Sequence, residues 1–599
     1  MSARPSSLFT AGEPLLLTPP DGVKGLHPIS LVLNEELGRP YEIELELVST
    51  QGHIAPQLLL GKPVGIHLNR GNDQVRHFHG LVSELRFLGN SGARARYRAT
   101  LRPWLWFLSR TLECRVFQNL SVPDIIKEVF QGYGQFADFE EAPRVGKYPP
   151  RDFVVQYRES DLAFVSRLME DVGLYYYFRQ QADKHTLVLC DDEGAHQMAP
   201  GCGALPHRAL GKEQREHEEQ IDHFATLSRV DAGTYSITHF DYQRPLNLLR
   251  ASVFDEATHE PVALAVYDYP STFDLDQALP LTRLAVERQR CHTERYEGQS
   301  NSRSLGCGQL FAMTEHDTEL FNTKYLVVSQ TLVVHAHDLA SGSESKAELV
   351  RCGFVAQLAS EPFRLARSTP RPVVMGAQTA IVSGPEGSEI WTDGSGRVQV
   401  RFHWDRSRAT AKATSCWIRV SQAWAGAGFG AMHLPRVGQE VVVEFLDGDP
   451  DRPIIVGRVY NGTHESPYAQ HPTQSGIRSA TLGGKPMNYN ELRFDDKSGA
   501  EELYLQAERD HRVLVKHQRK VEIGDADELI VGANRTVSVA SGMQLAVGAL
   551  QCEEPPATGC LEISAQECIE LRVGHSVLRI KGDRIELESG GKAQLLLTE

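Results

Sequence analysis

Two pairs of histidines have the residue type and spacing that suit metal binding. His77 and His79 lie two residues apart in an alternating stretch, and His335 and His337 do the same, with Asp338 beside the second pair. Side chains two apart on a strand point to one face, so each pair could offer two ligands to a metal ion. A complete site needs further ligands at a fixed spacing, and the sequence marks none. We therefore interpret both pairs as exposed strand histidines and predict no metal.

An acidic run near residue 450 is similar to the start of a calcium-binding loop. Asp447, Asp449 and Asp451 alternate as the first ligands of such a loop do. The sixth position is Arg452 where the loop needs glycine, and the twelfth is Arg458 where it needs glutamate. The run therefore predicts a polar hairpin turn.

Motifs for catalysis and nucleotide binding are missing from the sequence. Gly-Lys occurs five times but is never followed by Ser or Thr, which excludes the phosphate-binding P-loop. Neither the G-x-S-x-G elbow nor the H-E-x-x-H zinc motif occurs. We predict no catalytic residue and no cofactor. An enzymatic activity that no motif marks stays open as the alternative.

Composition and charge narrow the class of protein. The 599 residues include 41% hydrophobic and 23% charged residues, which is typical of globular domains and suggests about four of them. The net charge of −15 disfavours nucleic-acid binding, because phosphates need a basic surface. No apolar run reaches the ~18 residues of a membrane span, and Met1–Thr10 lacks the apolar core of a signal peptide. We predict no stable membrane insertion and reduced, scattered cysteines.

The elements of the first 370 residues are mostly strands, with two clear helices. Tyr41–Leu47 alternates apolar and acidic residues, the mark of a half-buried strand. One helix is predicted to begin after Ser121 and end at Gly132, and the other to begin after Ser160 and end at Gly173.

Short strands at close spacing predict a small barrel in the next hundred residues. The predicted strands cover 398–404, 417–421, 440–446 and 453–460, and Gly- and Asp-rich turns separate them. This spacing is typical of an OB-fold.

Residues 511–599 contain an internal repeat with a period of eight. Counting every eighth residue from Val513 and from Val515 gives two series in which only Glu553, Pro555 and Arg579 are not apolar. Gly524, Gly532 and Gly548 directly follow members of the second series, and Ala540 takes the remaining place. The predicted core members of the repeat are Val521, Ile523, Leu529, Val531, Val537, Val539, Leu545, Val547, Ile569 and Leu571.

An eight-residue period fits a β-solenoid or β-helix in which each unit supplies a short strand and a corner. The apolar pair at i and i+2 lies on one face, and glycine supplies a tight corner or a turn with positive φ. One such strand per unit, with a polar other half, cannot enclose a core alone. We therefore favour several chains wrapped around a shared axis, with a solenoid formed by one chain as the alternative.

Several long segments of the chain closely resemble the VgrG family, the spike proteins of bacterial type VI secretion. The resemblance extends over essentially the whole chain. The segments that carry it are 389–405, 416–426 and 434–453, together with 155–161, 173–178 and 490–496.

The resemblance implies a mainly β fold built from a trimer. It implies a phage-hub-like domain of two β-barrels with added helices over 1–370 and an OB-fold over 371–465. A neck or linker over 466–510 is too short for the lysozyme domain found in the phage counterpart. Residues 511–599 would then form a needle, an intertwined triple-stranded β-helix.

The resemblance also implies a function and partners. The homotrimer would sit on the Hcp tube among baseplate components, carry a PAAR-repeat tip protein and secreted effectors with their adaptors, and puncture the target envelope. It would be non-catalytic, the alternative being a spike with an undetected enzymatic activity. Because the chain ends at Glu599, about where the repeat ends, we expect a member without an appended effector domain.

The resemblance further implies where the protein acts and where its tip binds. It would be made in the cytoplasm of a Gram-negative cell and secreted into the medium or a target cell by a route that reads no signal peptide. A blunt β-helix end exposes strand edges and apolar side chains. We therefore expect the tip protein to dock at Ile585, Leu587 and Leu595.

Overall fold

The computed structural model describes residues 14–50, 53–71, 74–92, 94–142, 148–201, 203–208, 218–246, 248–254, 264–269, 275–336, 349–406, 415–547 and 560–591. The chain divides into two compact units, Met1–Glu508 and Arg509–Glu599. The fold is mainly β, as predicted. Among the described helices, none combines the length and the apolar character needed to cross a membrane.

The first strands of the chain form an antiparallel layer with the order β1-β4-β5-β6-β3-β2. Alternation is visible in β3, where Ile43, Leu45 and Leu47 are fully or almost fully buried and the glutamates between them face outward. Such alternation fixes the register, because a slip of one residue would turn every apolar side chain to the other face. The strands are β1 (Leu15–Thr18), β2 (Leu26–Glu36), β3 (Glu42–Ser49), β4 (Pro63–Gly71), β5 (Gln74–Ser91) and β6 (Arg94–Arg102).

A mixed layer of helices and strands follows. Its elements are α1 (Trp104–Phe107), β7 (Glu113–Phe117), α2 (Val122–Gln131), β8 (Phe139–Glu141), β9 (Val154–Glu159), α3 (Asp161–Val172), β10 (Tyr175–Gln180) and β11 (His185–Cys190).

Both predicted helices are confirmed, with their caps. The Ser121 hydroxyl accepts a hydrogen bond from the Asp124 N–H at the start of α2, and Ser160 does the same for Ala163 in α3. Gly173 ends α3 with a φ of 82°, a left-handed conformation that favours glycine. The apolar faces of the two helices share one core with β10 and β11.

The third region joins the first layer in a 13-stranded sheet, because β20 pairs antiparallel with β2. Strands β15–β17 form a separate small sheet, against which α4 packs. The hydrogen-bonded pairs among described residues close neither half of the large sheet into a ring, so the two-barrel arrangement stays a prediction. The elements are β12 (Gln197–Met198), β13 (Ala204–Pro206), β14 (Ile221–Ser228), β15 (Thr234–Phe240), β16 (Leu248–Phe254), β17 (Ala265–Asp268), α4 (Leu275–Thr293), β18 (Glu294–Ser300), β19 (Gln309–Thr314), β20 (Lys324–His335) and β21 (Leu349–Leu358).

The next region is a small closed barrel, which confirms the predicted OB-fold. Its strands pair in the order β23-β22-β26-β27, and bridges from Val398 to Ile418 and from Val420 to Ile455 complete the ring. Val400, Phe402 and Val443 are among its fully buried core residues. Strand β22 was not among the strands predicted from the sequence. The elements are β22 (Gln378–Ser383), β23 (Gln399–Phe402), β24 (Ala425–Gly426), β25 (Phe429–Gly430), β26 (Glu440–Phe445) and β27 (Pro453–Arg458).

Two further antiparallel sheets complete the described elements. The first, β28 (Gln474–Arg478), β29 (Glu491–Asp495) and β30 (Glu502–Gln506), lies in the segment assigned as a neck or linker. The second, β31 (Cys568–Val573), β32 (Ser576–Lys581) and β33 (Ile585–Glu588), belongs to the C-terminal unit.

Candidate assembly surface of the C-terminal repeat

Between residues 513 and 547, the apolar series of the repeat have no partner among the described residues of their own chain. Of the predicted core members between residues 521 and 547, Val521 is 60% exposed and even the most covered, Val531, is 44% exposed. Among residues 509–547 and 560–567, no strand forms, and no backbone hydrogen bond links these residues to the rest of the described chain. Folded proteins rarely leave extended apolar stripes and unpaired backbone groups together, and such stripes mark interaction surfaces.

The backbone of this segment follows the eight-residue period. The chain bends at 516–517, 524–525, 532–533 and 540–541, so the bends recur every eight residues. Gly524 and Gly532 lie at the bends without a positive φ, and nothing crowds the position where a Cβ would sit. Of the two roles suggested for glycine, the structure therefore shows a corner without left-handed backbone, which explains why Ala540 can occupy the equivalent place.

The end of the repeat has a different local structure, which the eight-residue spacing does not predict. Strands β31, β32 and β33 pair with each other in one antiparallel meander. Ile569 and Leu571 lie opposite Ile580 and Leu578 across this sheet. The sheet therefore takes its backbone hydrogen bonds from within one chain, unlike the segment before it.

The apolar residues Leu578 and Ile580 were missed as core candidates. They stand one residue after the repeat positions 577 and 579, and a one-residue shift moves side chains to the opposite face of a strand. The available signal was Arg579, a charged residue in a repeat position that is otherwise apolar, together with the turn residues Gly574 and Gly582.

The opposite face of this sheet is charged. The Arg579 guanidinium lies between Glu570, with Nε 2.7 Å from a carboxylate oxygen, and Glu588, at 3.2 Å. Arg572 also pairs with Glu570, at 2.8 Å. Val577, a repeat member, lies on this side and is the single buried apolar residue described after residue 508.

The residues predicted to dock a tip protein fall in two places. Ile585 and Leu587 lie on β33 and are 68% and 64% exposed. Across the sheet they face Ile580 and Leu578, and therefore share the apolar face of the meander. Leu595 lies outside the described residues.

The histidine pair of β5 is part of a larger group than the sequence showed. The Nδ1 atoms of His77 and His67 lie 2.8 Å apart, as do those of His79 and His185. The Trp104 backbone N–H donates to His185 Nε2, so in the neutral pair His185 donates from Nδ1 to His79. The prediction that these histidines are exposed is wrong: both are partly or fully buried against other histidines.

Burial lowers the pKa of all four histidines. The pKa of His185 falls to about 3, mainly because the charged form of the buried ring would lack hydration and secondarily because His79 lies beside it. The pKa values of His67, His77 and His79 are also lowered, chiefly by burial. No group of three or more metal-ligating side chains assembles among the described residues. His335 is exposed, while His337 and Asp338 lie outside the described residues.

The acidic run of the OB-fold forms a structural corner. Asp447 has a φ of 57° and pairs with Arg452, and the Asp449 carboxylate accepts a hydrogen bond from the Asp451 N–H. Asp451 is partly buried, and its carboxylate accepts a hydrogen bond from the Val155 N–H at 2.6 Å. Burial raises the pKa of Asp451 to about 7, and Asp449 adds to the shift.

Comparison with known families divides the chain in the same order as its folded regions. Residues 34–338 match the phage tail baseplate hub family (GPD). Residues 389–460 match the type VI secretion system/phage-baseplate injector OB domain. Residues 475–576 match the bacteriophage T4 gp5 C-terminal trimerisation domain, which covers the neck sheet and most of the repeat.

Curated relatives are similar over most of the chain. The type VI secretion system spike protein VgrG1a of Pseudomonas aeruginosa is 41% identical over 92% of this chain and 86% of its own length. VgrG1b of the same organism is 42% identical over 82% of this chain, which spans 66% of that relative. The actin cross-linking toxin VgrG1 of Vibrio cholerae is 31% identical, with 45% of its length covered.

Solved structures share the fold. The Escherichia coli c3393 protein, described as a type VI secretion component similar to phage T4 tail proteins gp27 and gp5, matches with a TM-score of 0.54 at 22% identity, over 74% of this chain and 99% of its own. A chain of the half-lidded Francisella PdpA–VgrG complex matches with a TM-score of 0.55 at 10% identity, over 83% and 88%. With the identities to the curated relatives, these observations show that the chain belongs to the VgrG family of type VI secretion system spike proteins.

Proposed function

We propose that the protein is a homotrimeric spike whose three repeats wind around each other into an intertwined β-helix needle. The observation that carries this proposal is the repeat before residue 548: over residues 513–547 its apolar series are exposed and its backbone makes no hydrogen bond with the described part of its own chain. Two further copies would supply both the missing apolar cover and the missing hydrogen bonds. The match of this segment to a trimerisation domain supports three copies.

The proposed core of the needle consists of the repeat members from Val521 to Val547, together with Ile569 and Leu571. Burial of an apolar side chain of this size stabilises a fold by roughly 1.5–3 kcal/mol. Because each repeat unit brings two such residues from each of three chains, the gain accumulates along the repeat and favours a stiff needle.

The partners follow from the proposed place of the spike. The hub would sit on the Hcp tube among baseplate components, and the far end would carry a PAAR-repeat tip protein. Secreted effectors and their adaptors would travel with it. The solved Francisella PdpA–VgrG complex shows that a protein of this fold can bind another protein. The protein would be made in the cytoplasm of a Gram-negative cell and secreted without a signal peptide.

We propose that this chain acts mechanically and as a carrier, without catalysis of its own. VgrG1a, which this chain matches over 86% of its length, is a spike protein. The actin cross-linking toxin shows that a relative can have an activity, and this chain aligns to 45% of it. Turnover of peptidoglycan or actin by the purified protein would contradict the non-catalytic proposal.

Light scattering on the purified chain tests the trimer. Three copies of the 66.6 kDa chain give a mass of about 200 kDa. A stable species of 66.6 kDa at micromolar concentration would contradict the proposal, because the repeat would then remain uncovered.

A pull-down with a PAAR-repeat protein tests the tip. Removal of Gly590–Glu599 should abolish its binding while the mass stays that of a trimer. Binding that survives this deletion would place the tip contact elsewhere.

A further inference from the structure

The sheet β31–β33 has an apolar face that nothing described in its own chain covers. Its cross-strand pairs align six apolar side chains in two rows. Leu571, Ile585 and Leu587 are each more than half exposed. The first row is Ile569, Ile580 and Ile585, and the second is Leu571, Leu578 and Leu587.

The other face needs no partner. Arg579 is held between two glutamates, and the Lys581 ammonium lies 2.9 Å from the Glu586 carboxylate. Ion pairs of this kind can stay exposed to water with little effect on the free energy of folding. The sheet is therefore amphipathic, with one face suited to solvent and one suited to burial.

Continuity with the repeat indicates which partner covers the apolar face. The trimerisation-domain match runs through residue 576, which is the first residue of β32. The two rows carry no charged or polar side chain. A charged peptide or a polar ligand would therefore lose its hydration there without forming hydrogen bonds or ion pairs with these residues. Each of the other two copies in the proposed trimer carries the identical apolar face, directly after its own repeat. These copies are therefore the partners that we expect to cover it.

We propose that the apolar faces of three β31–β33 sheets pack against each other and close the C-terminal end of the trimer. This inference rests on the proposed homotrimer and deepens it. In the repeat, backbone hydrogen bonds would cross between chains, whereas here each chain keeps its own and only side chains cross. Ile585 and Leu587 then belong to the trimer core and not to the docking site of the tip protein.

This contact would also fix the register of the three chains. Repeat units are interchangeable, so a slip by eight residues leaves both apolar series in phase. The six residues of the sheet occur once in the chain, and they meet their copies only when all three chains are aligned. A trimer in which one chain is shifted by eight residues would lose this contact, so the sheet favours the aligned register.

Disulfide cross-linking of the full-length chain tests the contact. In a parent in which Cys552, Cys560 and Cys568 are replaced by serine, Ile580→Cys places one thiol on the apolar face. Arg579→Cys places a thiol on the charged face of the same strand and serves as the matched control. After mild oxidation, Ile580→Cys should give a covalent dimer on a denaturing gel, because two of the three thiols can pair, and Arg579→Cys should remain monomeric.

The outcomes separate this inference from the proposed function. If light scattering shows a trimer but Ile580→Cys does not cross-link and reacts with maleimide as fast as Arg579→Cys, the inference is wrong and the homotrimer stands. If the parent is a monomer, both are wrong. Leu578→Cys, in the second apolar row of the same strand, should cross-link as Ile580→Cys does, and its failure to do so would also contradict the packing.

Discussion

Strand β3 of the hub and the repeat around Val521 contain the same kinds of residue in the same alternation, yet they are buried very differently. Leu45 in β3 has no exposed surface, because β2 and β6 pair with this strand and the rest of the hub covers it. Val521 is 60% exposed, and the backbone around it forms no hydrogen bond with another described part of its own chain. An alternating pattern therefore predicts a strand with one buried face, but not which chain supplies the cover.

Spacing along the chain distinguishes the two cases. Hub strands vary in length and are joined by turns and helices, so a single chain can fold back and close a core. The repeat has a fixed period of eight with only two apolar residues per unit, which is too little to enclose a core in one chain. The comparison predicts that the hub is stable by itself and that the repeat is stable only in an assembly.

Shifting the period should break the repeat and leave the hub intact. Deletion of Leu529–Val531 moves every later apolar pair by three positions. The core positions then fall on Gly532 and Asn534 and next on Ala540 and Gly542. Each buried, unpartnered polar group costs about 1–3 kcal/mol, and three chains contribute equally. We expect a frayed or aggregated C-terminal unit by light scattering.

Deletion of one whole unit, Leu529–Thr536, is the matched control. All later pairs keep their phase, so a shorter but folded and heat-resistant trimer is expected. Equal melting temperatures for the two deletions would show that eight residues are not the structural unit.

Truncation of one core residue in the hub and one in the repeat should affect melting differently. Only the melting of the repeat should depend on protein concentration. Leu168→Ala in α3 removes a fully buried side chain and should lower the free energy of unfolding of the hub by about 2–5 kcal/mol. Its melting transition should not depend on protein concentration. Val531→Ala should lower the stability of the C-terminal unit in a concentration-dependent way, because that unit is stable only as an assembly. The reverse dependence in calorimetry would contradict the comparison.

Acid should weaken the hub more than the repeat. The pKa of His185 is about 3 in the folded hub and near 6.5 in the unfolded chain, so its contribution is complete above pH 6.5 and is lost as the pH falls toward 3. This histidine alone should cost about 2 kcal/mol at pH 5. The predicted core members of the repeat do not titrate.

Melting the hub between pH 7 and pH 4.5 tests this effect. His185→Gln should flatten the pH dependence, whereas His27→Gln, at an exposed position, should leave it unchanged. A pH dependence identical in all three proteins would exclude the histidine pair as its origin.

The smallest effect is expected on the charged face of β31–β33. Arg579→Gln removes two ion pairs that lie at the surface, and such pairs contribute little in water. The melting temperature of the C-terminal unit should hardly change, whereas Leu578→Asn on the other face should lower it clearly. A larger loss for Arg579→Gln would mean that the charged face is the buried one.

The sequence predicted what depends on local chemistry. Ser121, Ser160 and Gly173 mark helix ends because caps act within one turn, and the period of eight is visible without any structure. It did not predict α4, which contains Pro280 in its interior, or the pairing of His79 with His185, which lie 106 residues apart. It also missed the β31–β33 meander, because a one-residue shift at Leu578 and Ile580 changes the face without changing the composition.

Hydrogen–deuterium exchange on the full-length protein tests most directly whether the repeat is completed by other copies. We predict that amides of residues 521–547 exchange as slowly as those of β3, because neighbouring chains would accept their hydrogen bonds. Exchange at the rate of an unstructured peptide in residues 521–547, with β3 still protected, would contradict the assembly that we propose.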